Sequence, residues 1–130
     1  MSNYRLSKTS LRNLDGVHPE LIEVVKMAIQ ITKVDFGIPS TGGYRTEETQ
    51  HKLFKDGKSK ADGYTNKSNH QTGNAVDVFA YVDGKASWEV EHLSMVACAM
   101  LEAANRLGVD LRWGGHFKSF VDMPHFERAR

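Results

Sequence analysis

Two short segments of this 130-residue sequence place histidine next to carboxylates and chain-bending residues. The first is Ser68-Asn69-His70-Gln71-Thr72-Gly73-Asn74-Ala75-Val76-Asp77, and the second is Asp122-Met123-Pro124-His125-Phe126-Glu127. Asp77 lies among Ala75, Val76, Val78 and Phe79. A carboxylate on such an apolar strand is costly if it is buried charged and without a partner. A cation resolves that cost. Gly73 lets the chain bend between His70 and Asp77, so a loop histidine and a strand carboxylate can converge on one ion. His125 follows Pro124, which favours an extended backbone, and Phe126 should point to the opposite face. Two histidines and one aspartate suit zinc, which takes nitrogen and carboxylate oxygen ligands at about 2.0–2.2 Å. Three protein ligands leave a position for water, as in catalytic zinc sites. Asp122 is close enough to His125 in sequence to stand beside the ion as a base without binding it. Arg45, after Gly42-Gly43-Tyr44 at the entrance to a helix, could bind a substrate carboxylate or a developing oxyanion.

Taken singly, these residues have plainer readings. His70 and Asp77 could form an ordinary hydrogen-bonded pair, Asp122 could be a turn residue, and Arg45 could be a surface salt-bridge partner. Of the six histidines, His18 beside Pro19, His51 in a polar helix and His92 in a long helix read as structural or exposed.

The elements that must position the chemistry follow from periodicity and punctuation. Residues 1–15 are polar and mixed and read as an arm. Leu21, Val24, Val25, Ala28 and Ile29 recur at helical spacing and predict a helix over 18–32, with Pro19, Glu20 and Glu23 suited to its first turns. Residues 34–38 read as a short strand, 46–55 as a second helix, and the polar segment ending at His70 as a surface loop. A continuous central strand is predicted over 74–81, with Val76 and Val78 on one face and Ala75, Asp77 and Phe79 on the other. A hairpin-type turn at 82–85 follows. The longest helix is predicted over 87–107, capped by Ser87 and stopped by Gly108. Strands at 109–113 and 123–127, separated by a turn at Gly114-Gly115, complete an α+β domain with a mostly antiparallel sheet flanked by helices. Length supports a single domain over 1–130.

Composition narrows the function classes. Seventeen basic and 16 acidic side chains give a net charge of +1. That balance offers no basic excess for nucleic acid and little attraction to a membrane surface. The single cysteine, Cys98, excludes an internal disulfide, and its apolar surroundings predict burial in a helix. The first 16 residues contain no apolar run of signal-peptide length, and no run approaches a membrane span. A monomer kept in the cytoplasm of the producing cell is expected.

In combination, Ser68-x-His70-x-x-Gly73-x-Ala75-x-Asp77 with a downstream Asp122-x-x-His125 resembles the LAS metallopeptidases. That group comprises D-Ala-D-Ala carboxypeptidases, vancomycin-resistance dipeptidases and phage L-alanyl-D-glutamate endopeptidases. The chain is most similar to the short phage endolysins, through Gly43-Tyr44-Arg45-Thr46, Val82-Asp83-Gly84-Lys85 followed by Trp88, and Trp113-Gly114-Gly115. The resemblance runs from about Pro19 to Glu127. It implies one zinc ion held by His70, Asp77 and His125, with Asp122 as catalytic base and Arg45 as the substrate or oxyanion contact. It also implies cleavage of the L-Ala-D-Glu bond of bacterial peptidoglycan, with release from the host cytoplasm through a membrane pore. His116 departs from the pattern, since relatives often carry an acid after Trp-Gly-Gly. That change bears on substrate contacts, on bonds behind the ligands, or on a further ligand. Two other functions stay open at this stage: a D-Ala-D-Ala carboxypeptidase or dipeptidase of the same architecture, and a non-catalytic zinc-stabilised wall-binding module.

Overall fold

The computed structural model describes residues 2–129. Helix α1 spans Lys8–Asn13, α2 Pro19–Ile31, α3 Glu47–Lys55 and α4 Val90–Leu107. Strands β1 (Asp35–Gly37), β3 (Phe79–Val82) and β4 (Lys85–Ser87) form one antiparallel sheet in the order β1-β3-β4. Strands β2 (Ala75–Asp77), β6 (His125–Arg128) and β5 (Leu111–Trp113) form a second, in the order β2-β6-β5. The α+β expectation holds, with the antiparallel pairing divided between two small sheets.

That division corrects the continuous strand expected over 74–81. Asp77 pairs across from His125, and the next amide, Val78 N–H, donates to the Pro124 carbonyl at 2.9 Å. Pro124 has no N–H to return a bond, so the ladder ends there and the chain crosses to β1. The predicted two-faced pattern also shifts: Ala75 and Val76 are both fully buried, and Val78 nearly so.

The core lies between the helices and the sheets. Leu21, Val24, Val25 and Ala28 of α2 pack with Leu93, Val96, Ala97, Met100 and Ala103 of α4, and Phe126 of β6 is fully buried with them. Helix α2 begins where its sequence signals put it. His18 is the N-cap, its Nδ1 accepting the Glu20 N–H at 3.1 Å, and Pro19 follows in the first turn. Gly108 ends α4 in the left-handed conformation.

Three other expectations change. The N-terminal arm contains α1, capped by Ser7, and Leu14 and Val17 behind it join the core. Helix α4 starts later than Ser87, which instead ends β4 opposite Ala80 and places its hydroxyl 2.7 Å from His92 Nδ1. Cys98 is exposed. The buried positions of α4 are 93, 96, 97, 99, 100, 103 and 104, and position 98 falls on the exposed side despite its apolar neighbours. Among the described residues, no helix is long and apolar enough to cross a membrane.

Candidate metal centre and active site

His70 sits in a single 3-10 turn, Asn69–Thr72, whose ends are fixed by the surrounding sequence. Ser68 and Gln71 form a capping box: the Ser68 hydroxyl accepts the His70 N–H at 3.2 Å, and the Gln71 amide oxygen accepts the Ser68 N–H at 2.8 Å. Gly73 closes the turn at φ +75°, and a Cβ there would stand 2.6 Å from the Gly16 carbonyl oxygen, so both the conformation and the space require glycine. Gly73 is thus the bend expected between His70 and Asp77. The turn delivers a buried imidazole to the end of β2, where Asp77 faces His125 across the strand pair.

The three side chains converge. Asp77 Oδ1 lies 3.3 Å from His70 Nε2 and 3.1 Å from His125 Nδ1. One donor atom from each residue falls within 4.8 Å of the others. The hydrogen bonds behind the rings decide what these nitrogens present. His70 Nδ1 is 2.9 Å from the Gly43 carbonyl oxygen, which can only accept, so Nδ1 carries the hydrogen. His125 Nε2 is 2.8 Å from Glu127 Oε1, a carboxylate that likewise accepts. In their neutral forms both rings therefore turn a lone pair toward the Asp77 carboxylate. Two imidazole lone pairs facing an anion repel one another unless a cation stands between them. The donor set thus fits a divalent ion, and the outer partners are of the kind that hold metal-ligating histidines in one tautomer.

Without an ion, protonation of the rings takes its place. Burial alone would raise the Asp77 pKa, but hydrogen bonds and charge from His125 and His70 hold it well below the usual carboxylate range. Burial disfavours the His125 imidazolium, yet its contacts with Asp77, Glu127 and Asp122 raise its pKa overall. The remaining oxygen, Asp77 Oδ2, accepts from Arg45 at 3.0 Å.

Arg45 is itself buried. Its Nε donates to the Thr41 carbonyl at 2.7 Å, and another guanidinium nitrogen donates to Gln50 at 3.0 Å. Arg45 still lines a cleft of about 590 Å³ together with His70, Asp77, Asp122 and His125. Asp122 reaches that cleft from the segment between β5 and β6. Its N–H donates to the Gly114 carbonyl at 2.9 Å, its own carbonyl accepts from His125 N–H at 3.1 Å, and the Trp113 indole donates to the next carbonyl, Met123, at 2.7 Å. Partial burial and the nearby charge of Asp77 raise the Asp122 pKa, against the lowering effect of His125, His70 and Arg45.

All five residues singled out in the sequence therefore meet at one cleft. His116 does not join them: it is exposed, with its ring edge-on to Trp113 at 4.9 Å. His18, His51 and His92 make hydrogen bonds away from the site. Two residues that sequence reasoning missed belong to it. Glu127 holds His125; as the second residue after it on a strand whose middle residue, Phe126, enters the core, it had to share the face of His125. Gln50, fully buried, ties Arg45 to the loop at residues 59–61, and no local signal in α3 marks it.

A histidine-aspartate-histidine group at the end of the β2–β6 strand pair, with a carboxylate and an arginine beside it, has the make-up of a metal-dependent hydrolase site. Comparison with known proteins narrows the class. The chain belongs to the phage L-alanyl-D-glutamate peptidase family, whose model matches residues 1–129. It is 31% identical over 121 residues to the L-alanyl-D-glutamate peptidase of Escherichia phage T5, covering 92% of this chain and 86% of that protein. It is 31% identical over 98 residues to the peptidoglycan L-alanyl-D-glutamate endopeptidase CwlK of Bacillus subtilis (strain 168), covering 67% of this chain and 58% of that one. Among solved structures, the L-Ala D-Glu endopeptidase ChiX of Serratia marcescens superposes with a TM-score of 0.84 at 35% identity, over 96% of this chain and 90% of that one.

Proposed function

We propose that this chain is a zinc-dependent endopeptidase that cleaves the L-Ala-D-Glu bond of peptidoglycan stem peptides and serves a phage in lysis of its host. The observation that carries this reading is the convergence of His70 Nε2, His125 Nδ1 and Asp77 Oδ1 in a cleft that also contains Asp122 and Arg45. Family membership and the printed activities of its relatives support the substrate. Residues 1–130 act as one catalytic domain, a monomer that waits in the host cytoplasm and reaches the wall after release.

In this reading His70, Asp77 and His125 hold the zinc ion, which when bound supplies Lewis acidity toward a scissile carbonyl and makes water acidic enough to attack near neutral pH. Asp122 takes the proton of that water and returns it to the leaving amine of D-Glu. Arg45 fixes the Asp77 carboxylate and presents its remaining donors to negative charge developing on the substrate. Glu127 and the Gly43 carbonyl keep both imidazoles turned toward the ion.

Digestion of purified peptidoglycan, with and without a chelator and with fragments identified by mass spectrometry, tests the assignment. Chelator-sensitive release of peptides beginning at D-Glu is expected. Loss of terminal D-Ala alone would instead indicate a carboxypeptidase, and zinc binding without any cleavage a wall-binding module.

A further inference from the structure

Arg45 is buried and bound to Asp77, Gln50 and Thr41, so only part of its guanidinium is left for a substrate. The cleft has a second source of positive charge in Lys58 and Lys60, which also line it. Lys60 is exposed and makes no ion pair among the described residues. Its ammonium sits 3.6 Å from the centroid of the Phe120 ring. Phe120 is 65% exposed and has a φ of +52°, a left-handed backbone that a bulky residue seldom adopts. The Phe120 ring faces solvent and adds nothing to the buried core. Its one described aromatic or ionic contact is with Lys60, and the face of a ring attracts and orients a cation.

The backbone carrying Lys60 is anchored on both sides. The fully buried Gln50 amide donates to Ser59 Oγ at 2.8 Å and to the Ala61 carbonyl at 2.9 Å, and the same side chain accepts from Arg45. Lys60 is therefore presented to the cleft from a segment tied through Gln50 to Arg45, with its ammonium over the Phe120 ring.

Resting on the endopeptidase reading, the geometry points to Lys60 as a specificity-determining residue that binds the carboxylate of the substrate's D-Glu. A glutamate joined through its nitrogen to L-Ala has two carboxyl groups, and a linear stem peptide continues through only one of them. The other remains free, and where the peptide continues through the side-chain carboxyl it lies next to the scissile bond. An ammonium in the same cleft, oriented by an aromatic face, favours a carboxylate over an uncharged carboxamide.

The test compares two stem peptides that differ only in this group, carboxylate in one and carboxamide in the other, with zinc-loaded enzyme. Wild type is expected to favour the carboxylate by roughly fivefold in kcat/KM, mostly through KM, the scale of a partly exposed ion pair. Lys60→Met keeps the alkyl stem against Phe120 and should bring the ratio close to one, while Lys60→Arg should keep the preference. Equal cleavage of both peptides by wild type, or an unchanged preference in Lys60→Met, overturns the Lys60 assignment and leaves the endopeptidase reading intact. Cleavage of neither peptide by wild type overturns the endopeptidase reading, and the assignment of Lys60 with it.

Discussion

The Asp122 N–H donates to the Gly114 carbonyl at 2.9 Å, and a Cβ at Gly114 would stand 2.1 Å from the Asp122 carbonyl oxygen. The backbone that carries the proposed base is thus laid directly on a glycine, with the Trp113 indole clamping the following carbonyl. Gly114→Ala has no flexible side chain to displace and must push the Asp122 backbone away. Small displacements of a catalytic group cost about 10²-fold in rate. The variant should lose about that much in kcat/KM while binding one zinc per chain like the wild type. Stopped-assay kinetics with metal analysis would show this, and an unimpaired rate would remove Gly114 from the positioning of Asp122.

Glu127 and His125 give a second expectation. Removing the carboxylate that holds His125 Nε2 leaves the ring free to rotate or change tautomer. Loss of such an outer partner typically weakens metal affinity by about 10–100-fold. Glu127→Ala should show that loss in competition with a chromogenic chelator, and should retain the fold because Phe126, not Glu127, fills the core. Equal zinc affinity in mutant and wild type would contradict the role given to Glu127.

Much of this site was legible in the sequence because its residues sit in unusual company. Asp77 stands among apolar strand residues, which called for a positive partner or an ion, and the combined motif with Asp122-x-x-His125 favoured the ion. The Gly73 and Gly114 positions also had local signatures of a bend and a turn. What could not be read depended on contacts between distant segments. The break at Val78 arises from Pro124, which is far along the chain. Gln50 gains its role from Arg45, Ser59 and Ala61 together. Cys98 looked buried because its neighbours are apolar, but helical phase decides burial in α4, and one position off the stripe is enough to face solvent.

The pH response should differ in sign with and without metal. In the chelated protein the Asp77 pKa is lowered, so the stability it contributes is present above the ordinary carboxylate range and disappears as pH falls through its depressed value. The His125 pKa is raised, so its contribution is complete below about 6.5, the ordinary histidine value, and is lost as pH rises through the raised one. Chelated protein should therefore melt at a lower Tm at pH 8 than at pH 6. Zinc competes with protons for the histidines, so the stabilisation added by zinc should grow over the same interval. Thermal melts at the two pH values check both directions. A chelated protein whose Tm rises with pH would show that the Asp77–His125 pairing does not contribute as described.

The most direct test of the central claim is Asp122→Asn, which preserves shape and removes the base. The account predicts one zinc per chain, an unchanged circular dichroism spectrum, and turnover of the L-Ala-D-Glu bond lowered by about 10³-fold, within the usual range for a lost general base. Undiminished turnover with zinc in place would contradict it and would move the proton transfer to another group.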